Sequence, residues 1–389
     1  MGGITKQPKK RILILNDVGI VGGGAEIRIR LLIEKFLKEN LFEEIHLLEH
    51  LSSNSTHKNV KIHKAEATNV KDVVTNIIKE NQITHMQIHN LAQLSSTPIL
   101  AAKELGIPCI FFAHDYWGFC GQRTLFPPWG TSCEQASMIK CGVCIGPLAM
   151  IAIQKTKNLL NQCTVGISPS HFVKEVYEKN GVLKGRWECV EPWIDTHIFS
   201  KNINRKKENT STSQIVFIGP LETHKGIELL IKALSIVKKE HSSFLLRVVG
   251  WGQEMENKSR KKVDALIKKL KLGENIHFVG RCTPQGVMEE LKKADLAITC
   301  PLWPELFGQT WAQAVLCGTP VITTKVGSIP ELAKNKTILV QPEKKALATA
   351  IITELRNSSP VLTIPNNTPM FTIDKPYQKM KKIYECISK

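Results

Sequence analysis

From residue 11 onward, short apolar runs alternate with segments in which apolar residues recur at helical spacing. The run Arg11–Leu15 is followed by a glycine-rich turn at residues 22–24, and then by an amphipathic segment with Ile29, Leu32 and Phe36 at helical spacing. A continuous apolar run before a glycine turn and a helix is typical of a parallel strand that is buried on both faces. The pattern predicts a strand–turn–helix unit at the start of the chain.

Further apolar runs repeat this unit in two separate series. The first series continues through residues 45–48, 85–89 and 109–114, and the second runs through residues 214–219, 245–250, 276–280, 296–299 and 319–324. Strands that alternate with helices in this way form doubly wound parallel sheets. The sequence therefore predicts an α/β fold of two Rossmann-like domains, whose strand ends would face each other across a cleft suited to a phosphorylated ligand.

Length and charge narrow the class of protein. At 389 residues, with 42% hydrophobic and 22% charged residues, the chain fits two globular domains. The 52 Lys and Arg against 35 Asp and Glu give a formal charge of +17, which favours phosphates, nucleic acid or an anionic membrane as partners. With 6% aromatic residues there is little material for base stacking, and nucleic acid is not expected. A polar, basic start and the lack of a run of about 18 apolar residues predict a cytoplasmic protein.

The glycine turn alone has two interpretations. Gly22, Gly23 and Gly24 would let backbone N–H groups approach an oxygen-rich ligand, but their spacing differs from the Gly-x-Gly-x-x-Gly of dinucleotide-binding proteins. On this motif a dinucleotide oxidoreductase stays open, with Glu49 as the acid that would bind a ribose, and so does a plain tight turn. The second half of the chain decides the matter.

Three ordered motifs in the second half carry a family likeness. They are residues 303–314 (Trp-Pro-Glu-Leu-Phe-Gly-Gln-Thr-Trp-Ala-Gln-Ala), 318–324 and 327–332. Their order and spacing resemble the donor-binding signature of the family 4 retaining glycosyltransferases of GT-B fold. Further segments resemble other markers of this family: residues 217–221 with Lys225, 249–252, 278–280, 22–26, 89–90, 114–116 and 168–170.

The resemblance implies transfer of a sugar from a nucleotide-diphosphate-sugar, a UDP- or GDP-sugar, with retention at the anomeric carbon and without a catalytic metal. Lys225 would contact the donor diphosphate, where a compact ammonium suits a leaving group that gains negative charge. Glu305 would accept hydrogen bonds from hydroxyls of the donor sugar, and His114 would stabilise charge near the reacting carbon. The remaining candidate donor-binding residues are Gly22, Gly23, Gly24, Gly250, Gly252, Arg281, Phe307, Gly308, Gln309 and Gln313.

Two positions depart from the family pattern. The family has an arginine where Pro220 stands, so one of two diphosphate cations is missing, and Arg281 and His224 are the candidates to replace it. Gln313 stands where the family has a second glutamate that meets the nucleotide ribose, and an amide oxygen accepts a hydrogen bond more weakly than a carboxylate. These changes keep a second hypothesis open, a nucleotide-sugar-binding partner subunit with little or no turnover.

Four of the eleven cysteines lie within one stretch. They are Cys120, Cys133, Cys141 and Cys144, and the spacing of the last pair suits two thiolates on one tetrahedral metal. The expected occupant is a structural zinc, followed by disulfides or free thiols and then by an iron–sulfur cluster. The resemblance places a similar cysteine-bearing insertion in a subset of the family, here over residues 117–147, with no part in catalysis.

The predicted domain boundaries follow from these features. A first, acceptor-side domain covers residues 1–200 with the insertion, a linker rich in Lys, Asn, Ser and Thr covers 201–213, and a donor-binding domain covers 214–372. Residues 373–389 read as an amphipathic helix, and in GT-B enzymes the last helix packs back on the first domain. The implied acceptor is a glycan or a lipid-linked molecule, as in polysaccharide, lipopolysaccharide or glycolipid biosynthesis, with peripheral contact to the inner face of an anionic membrane.

Overall fold

The chain divides into two compact units in the computed structural model, which describes residues 10–20, 22–130, 132–133, 135–199, 211–250, 258–333, 337–357 and 371–387. Unit 1 comprises Met1–Arg123, Glu134–Trp193 and Thr372–Lys389, and unit 2 comprises Thr124–Cys133 and Ile194–Phe371. Each unit is therefore assembled from segments that are not contiguous in the sequence, and Thr372–Lys389 returns to unit 1 after the long segment of unit 2. Within the described ranges, no single helix combines the length and apolar character needed to cross a membrane.

Unit 1 is a parallel α/β structure. Its strands are β1 Arg11–Leu15, β2 Glu44–His50, β3 Lys61–Ala65, β4 His85–Ile88, β5 Cys109–Phe112, β6 Val165–Ser168 and β7 Trp187–Cys189. Its helices are α1 Gly24–Lys38, α2 Val70–Glu80, α3 Pro98–Glu104, α4 Met138–Ile145, α5 Pro147–Leu160, α6 His171–Lys179 and α14 Asp374–Ile387. The strands form one sheet in the order β3-β2-β1-β4-β5-β6-β7, with every neighbouring pair parallel.

Unit 2 has the same architecture. Its strands are β8 Ser213–Ile218, β9 Phe244–Val249, β10 Ile276–Gly280, β11 Leu296–Thr299, β12 Val321–Thr324 and β13 Ile338–Val340. Its helices are α7 Thr196–Phe199, α8 Ile227–Glu240, α9 Lys258–Lys269, α10 Pro284–Lys293, α11 Gln309–Leu316, α12 Ile329–Leu332 and α13 Lys344–Asn357, with 3-10 turns at Thr223–Lys225 and Gly273–Asn275. The sheet order is β10-β9-β8-β11-β12-β13, all parallel. The prediction of two Rossmann-like parallel sheets is confirmed.

The strand order explains where each unit can bind a ligand. In unit 1 the chain passes from β1 outward to β3 and then returns to β4 on the other side of β1. In unit 2 it passes from β8 outward to β10 and returns to β11 on the other side of β8. Ligands of open parallel sheets bind at the carboxyl ends of the strands beside such a reversal. The residues that follow β1 and β4, and those that follow β8 and β11, are therefore the candidate sites.

The last described helix, α14, belongs to unit 1 and completes its core. Tyr377, Met380 and Tyr384 on this helix are almost fully buried. The Tyr384 ring packs edge-on against Phe36 of α1 at 5.6 Å and against Phe42 at 5.2 Å between ring centroids. Aromatic pairs in this geometry add to the stabilisation from burial alone. Removing α14 would therefore expose the apolar face of α1.

The unit boundaries differ in detail from the predicted domains. Helix α7 falls within the predicted first domain, yet Phe199 packs in the core of unit 2, and Ile194 N donates a hydrogen bond to Phe371 O of the same unit. Most of the predicted linker 201–213 lies outside the described residues. The predicted insertion 117–147 is divided between the units, since Thr124–Cys133 groups with unit 2. The alternation of apolar runs and helices predicts each sheet. It does not indicate in which of the two cores a short connecting segment is buried.

Buried histidines make the stability of unit 1 depend on pH. Burial lowers the pKa of His85 to about 4 and that of His89 to about 3. An unfolded histidine binds a proton below about 6.5, so protons favour the unfolded state between that pH and the native pKa. We expect the free energy of unfolding to fall on acidification below pH 6.5, by up to about 1.4 kcal/mol per pH unit for each such histidine.

Urea unfolding at pH 7.5, 6.5 and 5.5 measures this slope. The variant His85→Gln removes one buried imidazole and should show a shallower loss of stability on acidification. His197→Gln changes an exposed histidine and serves as the matched control, with the slope of the parent protein. Equal slopes in the His85 variant and the parent would show that this histidine does not carry the effect.

Candidate functional site

Lys225 is positioned by a turn at the end of the central strand of unit 2. It is the last residue of the 3-10 turn Thr223–Lys225, which joins the end of β8 to α8. Gly226 follows with a φ of 81°, and a Cβ at this position would lie 1.8 Å from the carbonyl oxygen of Cys300, just after β11. Only glycine allows this approach. The turn thereby holds Lys225 against the end of the neighbouring strand.

The Lys225 ammonium contacts two side chains of the motif at residues 303–314. Its Nζ lies 2.9 Å from Glu305 Oε2 and 4.7 Å from the ring centroid of Trp303. The indole Nε1 of Trp303 donates a hydrogen bond to the same Glu305 oxygen at 2.9 Å. The Glu305 side chain is only 11% exposed, and a carboxylate so buried needs such partners. We name these three residues the Lys225–Glu305–Trp303 cluster.

The motif at residues 327–332 holds the backbone of Glu305. Gly327 has a φ of 57°, and a Cβ there would lie 2.3 Å from Glu305 O and 2.4 Å from Glu305 N. Ser328 donates from its backbone N and from its Oγ to Glu305 O, each at 2.9 Å. The two motifs are thus parts of one structure, and this contact explains their fixed order and spacing.

Helix α11 begins beside this cluster. Gly308 is its N-cap residue, Gln309 is its first residue, and Phe307 is buried just before it. Gln313 lies one turn further along the same helix and is half-buried. The N–H groups of a first helical turn have no partners within the helix and attract anions. The structure therefore places all four predicted residues at or near a helix start that directly follows Glu305.

The other predicted donor-binding residues of unit 2 lie at varying distances from this cluster. Gly250 follows β9 and packs backbone to backbone against Gly219, which follows β8. Arg281 follows β10, two strands away from β8 in the sheet order, and its side chain is exposed. Gly252 lies outside the described residues. Gly250 therefore lies beside the ends of the central strands, whereas Arg281 lies at the end of an edge strand.

His224 does not supply the cation that is missing at Pro220. Its ring packs edge-on against Trp303 at 5.4 Å between centroids. Burial and, secondarily, the charge of Lys225 lower the pKa of His224 to about 4. The exposed Glu222 carboxylate at 3.2 Å does not offset the burial, so the ring is neutral near pH 7. Of the two candidates to replace the arginine, only Arg281 carries a charge.

In unit 1 the glycine turn lies at the ends of β1 and β4. Gly23 is the N-cap residue of α1, and Gly24 is the first residue of that helix. Asn16 braces the preceding loop, because its Nδ2 donates to Gly19 O at 2.7 Å and contacts Glu26 Oε1 at 3.4 Å. The backbone N of Asn90, after β4, donates to Asn16 Oδ1 at 3.2 Å. The turn thus presents the start of a long helix at the strand reversal of unit 1.

Glu49 is not available to a ribose. Its side chain is fully buried, and Oε1 accepts a hydrogen bond from Ser55 N at 3.2 Å. The acid that a dinucleotide oxidoreductase would place on the ribose is therefore enclosed in the protein, which removes support for that interpretation.

His114, just after β5, belongs to a chain of side-chain contacts that crosses unit 1. Arg28 Nη2 lies 2.8 Å from His114 Nδ1, and His114 Nε2 lies 2.6 Å from His89 Nδ1. His89 Nε2 lies 2.5 Å from the side-chain amide of Gln87, and the other end of that amide contacts the Tyr384 hydroxyl of α14. We name these five residues the His114 relay.

Donor and acceptor rules fix the protons of the His114 relay. A guanidinium only donates, so His114 Nδ1 is an acceptor and the ring proton lies on Nε2. That proton points to His89 Nδ1, so the ring proton of His89 lies on Nε2, on the side of the Gln87 amide. Burial, followed by the charge of Arg28, holds the pKa of His114 well below its usual value. Both imidazoles are therefore neutral near pH 7, with one tautomer each.

The hydroxyl of Tyr384 gives a test of the relay that spares the ring packing. In Tyr384→Phe the Gln87 amide loses its buried partner, so we expect a loss of about 1 to 2 kcal/mol in unfolding free energy. We also expect a kcat several-fold lower with an unchanged KM for the donor, because His114 is less firmly oriented. Tyr377→Phe on the same helix is the matched control, since no described residue pairs with the Tyr377 hydroxyl. Equal effects of both variants on kcat would contradict a positioning role.

Arg28, Gln87 and Tyr384 are absent from the sequence-based candidates. The sequence held a signal for Gln87, because it stands two residues before His89, and side chains two apart along an extended chain point to the same side. Asp115 is a further omission. Its carboxylate accepts from Arg123 Nε at 2.9 Å and from Trp117 N at 2.7 Å, which fixes the loop after His114.

The four clustered cysteines are thiols, and among the described residues no three His, Cys, Asp or Glu side chains lie close enough to hold a metal ion. Cys141 and Cys144 lie one turn apart on α4, where burial, together with the nearby Cys141, raises the pKa of the Cys144 thiol. Cys120 and Cys133 do not join them in a tetrahedral set. Structural zinc at these cysteines stays a prediction.

The region that carries the Lys225–Glu305–Trp303 cluster matches a known protein family. Residues 199–367 match the family model of "Glycosyl transferases group 1". This range is most of the Ile194–Phe371 segment of unit 2. The region of unit 2 that contains the cluster is therefore similar to group 1 glycosyltransferases.

Curated relatives include glycosyltransferases from archaea and yeast. An uncharacterized glycosyltransferase of Methanocaldococcus jannaschii is 26% identical over 174 residues, which are 45% of this chain and 42% of that protein. The GPI3 subunit of phosphatidylinositol N-acetylglucosaminyltransferase from Saccharomyces cerevisiae is 22% identical over 268 residues, 68% of this chain and 53% of the subunit. The chain thus spans about half of the length of these two relatives.

Solved structures show the fold of the whole chain. The Anabaena protein HepE in complex with UDP and glucose has a TM-score of 0.74 at 17% identity, covering 97% of this chain and 100% of that one. WaaG, a glycosyltransferase involved in lipopolysaccharide biosynthesis, has a TM-score of 0.68 at 15% identity and covers 96% of this chain and 99% of its own. The chain has the GT-B fold, as predicted.

Proposed function

We propose that this protein is a retaining glycosyltransferase that moves a hexose from a nucleotide-diphosphate-sugar to a glycan or lipid-linked acceptor. The observation that carries the proposal is the Lys225–Glu305–Trp303 cluster at the strand reversal of a group 1 glycosyltransferase domain. A cation, a buried carboxylate and a helix start converge there, and these are the groups that a diphosphate and a sugar require.

Each group has a definite role in the proposed reaction. Lys225 exchanges its contact with Glu305 for the donor diphosphate and neutralises the charge that grows as the bond to the sugar breaks. Glu305 is then free to accept hydrogen bonds from sugar hydroxyls, while the first turn of α11 binds the sugar or phosphate through its N–H groups. The protein cations take the place of a divalent metal in this scheme. The assignment to family 4 of the retaining enzymes rests on the ordered motifs.

His114 acts in this proposal as a neutral imidazole. Glycosyl transfer passes through a state with positive charge at the anomeric carbon, as in glycoside hydrolysis. A protonated imidazole nearby would oppose that charge, whereas the neutral ring, held in one tautomer by Arg28 and His89, does not. The low pKa of His114 therefore supports its place near the reacting carbon.

The named relatives suggest which donor and acceptor to test first. HepE is seen with UDP and with UDP-glucose, and the yeast relative is a subunit of a phosphatidylinositol N-acetylglucosaminyltransferase. We therefore propose a UDP-sugar donor ahead of a GDP-sugar, and a lipid-linked acceptor in polysaccharide, lipopolysaccharide or glycolipid biosynthesis. The formal charge of +17 fits peripheral contact with the inner face of an anionic membrane, from the cytoplasmic side.

A panel of UDP-, GDP- and ADP-sugars tests the proposal by thermal shift and by nucleotide release. A ligand that binds only the folded protein raises its transition temperature. We expect one UDP-sugar to stabilise the protein and to release UDP on addition of a lipid-linked or glycan acceptor. Stabilisation without release from any acceptor would favour the partner subunit with little turnover, and no shift with any nucleotide would refute both.

A further inference from the structure

Helices α4 and α5 expose an apolar surface to solvent. Among the described residues, seven large hydrophobic side chains are exposed, and four of them lie on this helical hairpin: Ile139 (82%), Val143 (76%), Leu148 (82%) and Ile151 (68%). Ile139 and Val143 are four residues apart on α4, and Leu148 and Ile151 are three apart on α5, so each pair shares one helix face. Clustered exposure of this kind marks an interaction surface.

The charges around this surface have one sign. Residues 138–160 contain three lysines, at positions 140, 155 and 157, and no aspartate or glutamate. Lys155 lies four residues after Ile151 and therefore continues the same face of α5. A second copy of this chain would bring like charges together at such a surface. An anionic lipid surface has an apolar layer beneath its charged head groups. Such a surface would complement both the exposed apolar side chains and the lysines.

A groove beside α5 has the same mixed character. It lies between α3 and α5, has a volume of about 510 Å³, and is lined in part by the apolar Leu100, Ile151 and Leu159 and by the cationic Lys103 and Lys155. Lys103 Nζ donates a hydrogen bond to Gln162 Oε1 at 2.8 Å, which orients its ammonium there. Apolar walls with two ammonium groups suit an acyl chain and an anionic head group.

The shape of the hairpin fits a position in the membrane interface. Helix α5 has 14 residues, about 21 Å at 1.5 Å per residue, and this is shorter than the roughly 30 Å of a bilayer core. The axes of α4 and α5 are bent by 114° at Gly146, so the pair does not form one straight span. Short helices with an apolar face and lysines beside it lie in the plane of the head groups.

We propose that the α4–α5 hairpin seats this protein on an anionic lipid surface, with the groove between α3 and α5 receiving a lipid of that surface. The inference rests on the proposed function, since it supplies the membrane contact that a lipid-linked acceptor requires. It names the surface that makes the contact.

Vesicle sedimentation tests this proposal with the full chain. Phosphatidylcholine vesicles containing phosphatidylglycerol should bind the protein at physiological salt, and pure phosphatidylcholine vesicles should bind it much more weakly. Leu148→Ser should weaken binding about tenfold or more, as expected for a leucine that leaves an apolar layer. Lys155→Ser should weaken it about fivefold, the effect of one lysine near an anionic surface. Leu51→Ser, at a leucine that is 48% exposed elsewhere in unit 1, is the matched control and should bind like the parent.

Several outcomes would overturn the inference. One is parent protein that stays in solution with anionic vesicles, and another is equal loss of binding in Leu148→Ser and Leu51→Ser. A third is a dimer, seen by light scattering, that Leu148→Ser dissociates while vesicle binding is unchanged, because the hairpin then meets a second copy. Nucleotide binding without vesicles should be equal in the parent and all three variants, so failure of the donor site would be recognised separately.

Discussion

Replacing Lys225 by alanine is expected to reduce kcat/KM for sugar transfer by about 10²- to 10³-fold, the usual cost of removing one group that stabilises developing negative charge. The expectation follows from its position, because the ammonium is fixed by the Gly226 turn and by Glu305 at 2.9 Å before any ligand binds. Pro220 stands where the family that the sequence resembles has an arginine, so we expect fewer cations to share this role at a donor diphosphate. The measurement is initial rate against donor concentration at saturating acceptor.

Two further variants test whether the loss of rate is specific to the Lys225 ammonium. Lys225→Arg keeps a charge but changes its shape, and it should recover part of the rate. Lys262→Ala removes another lysine of unit 2, whose Nζ lies 2.8 Å from Glu228 Oε1 on the surface, and should retain the parent rate. If Lys225→Ala turns over as fast as Lys262→Ala, Lys225 does not act on the diphosphate.

His114→Ala is expected to lower kcat by about 10²-fold, because the neutral ring and the order it imposes on Arg28 and His89 are lost together. A pH profile separates this from simple unfolding. Since the pKa of His114 lies well below its usual value, the kcat of the parent should show no limb near pH 6.5 from this residue. His63→Ala removes another histidine of the same sheet and should leave kcat unchanged.

Circular dichroism and thermal unfolding show whether His114→Ala remains folded. A folded variant with the parent kcat would exclude a role for this side chain in the reaction. A limb in the parent profile near pH 6.5 that vanishes in the variant would mean that His114 takes up a proton during turnover.

Local patterns predicted much of the fold because each strand–turn–helix unit is specified by its own residues. The apolar run Arg11–Leu15 and the motif at residues 303–314 are contiguous, and both sheets follow from repetition of such runs. Lys225 and Glu305 are 80 residues apart, and the family likeness predicted each as a site residue but did not predict their contact. The contact itself arises because β8 and β11 are neighbours in the sheet.

The rest of the site depends on contacts that no local pattern reports. The His114 relay joins Gln87 to Tyr384 over 297 residues, and a tyrosine in an amphipathic helix looks the same whether or not its hydroxyl has a partner. The shift in the pKa of His224 has a similar origin, since it depends on burial beside Trp303. Sequence motifs identify the candidate residues, but the protonation state of a candidate depends on tertiary packing.

The split of unit 1 around unit 2 has a consequence for the order of events during synthesis. Domains generally fold as units while the chain emerges from the ribosome. Unit 2 can complete its core at that stage, whereas the core of unit 1 is complete only with α14, which is made nearly two hundred residues after β7. Until then the apolar face of α1 is open and Gln87 lacks Tyr384. We therefore expect a nascent chain to complete the core of unit 2 first, and to form its His114 relay only with the translation of α14.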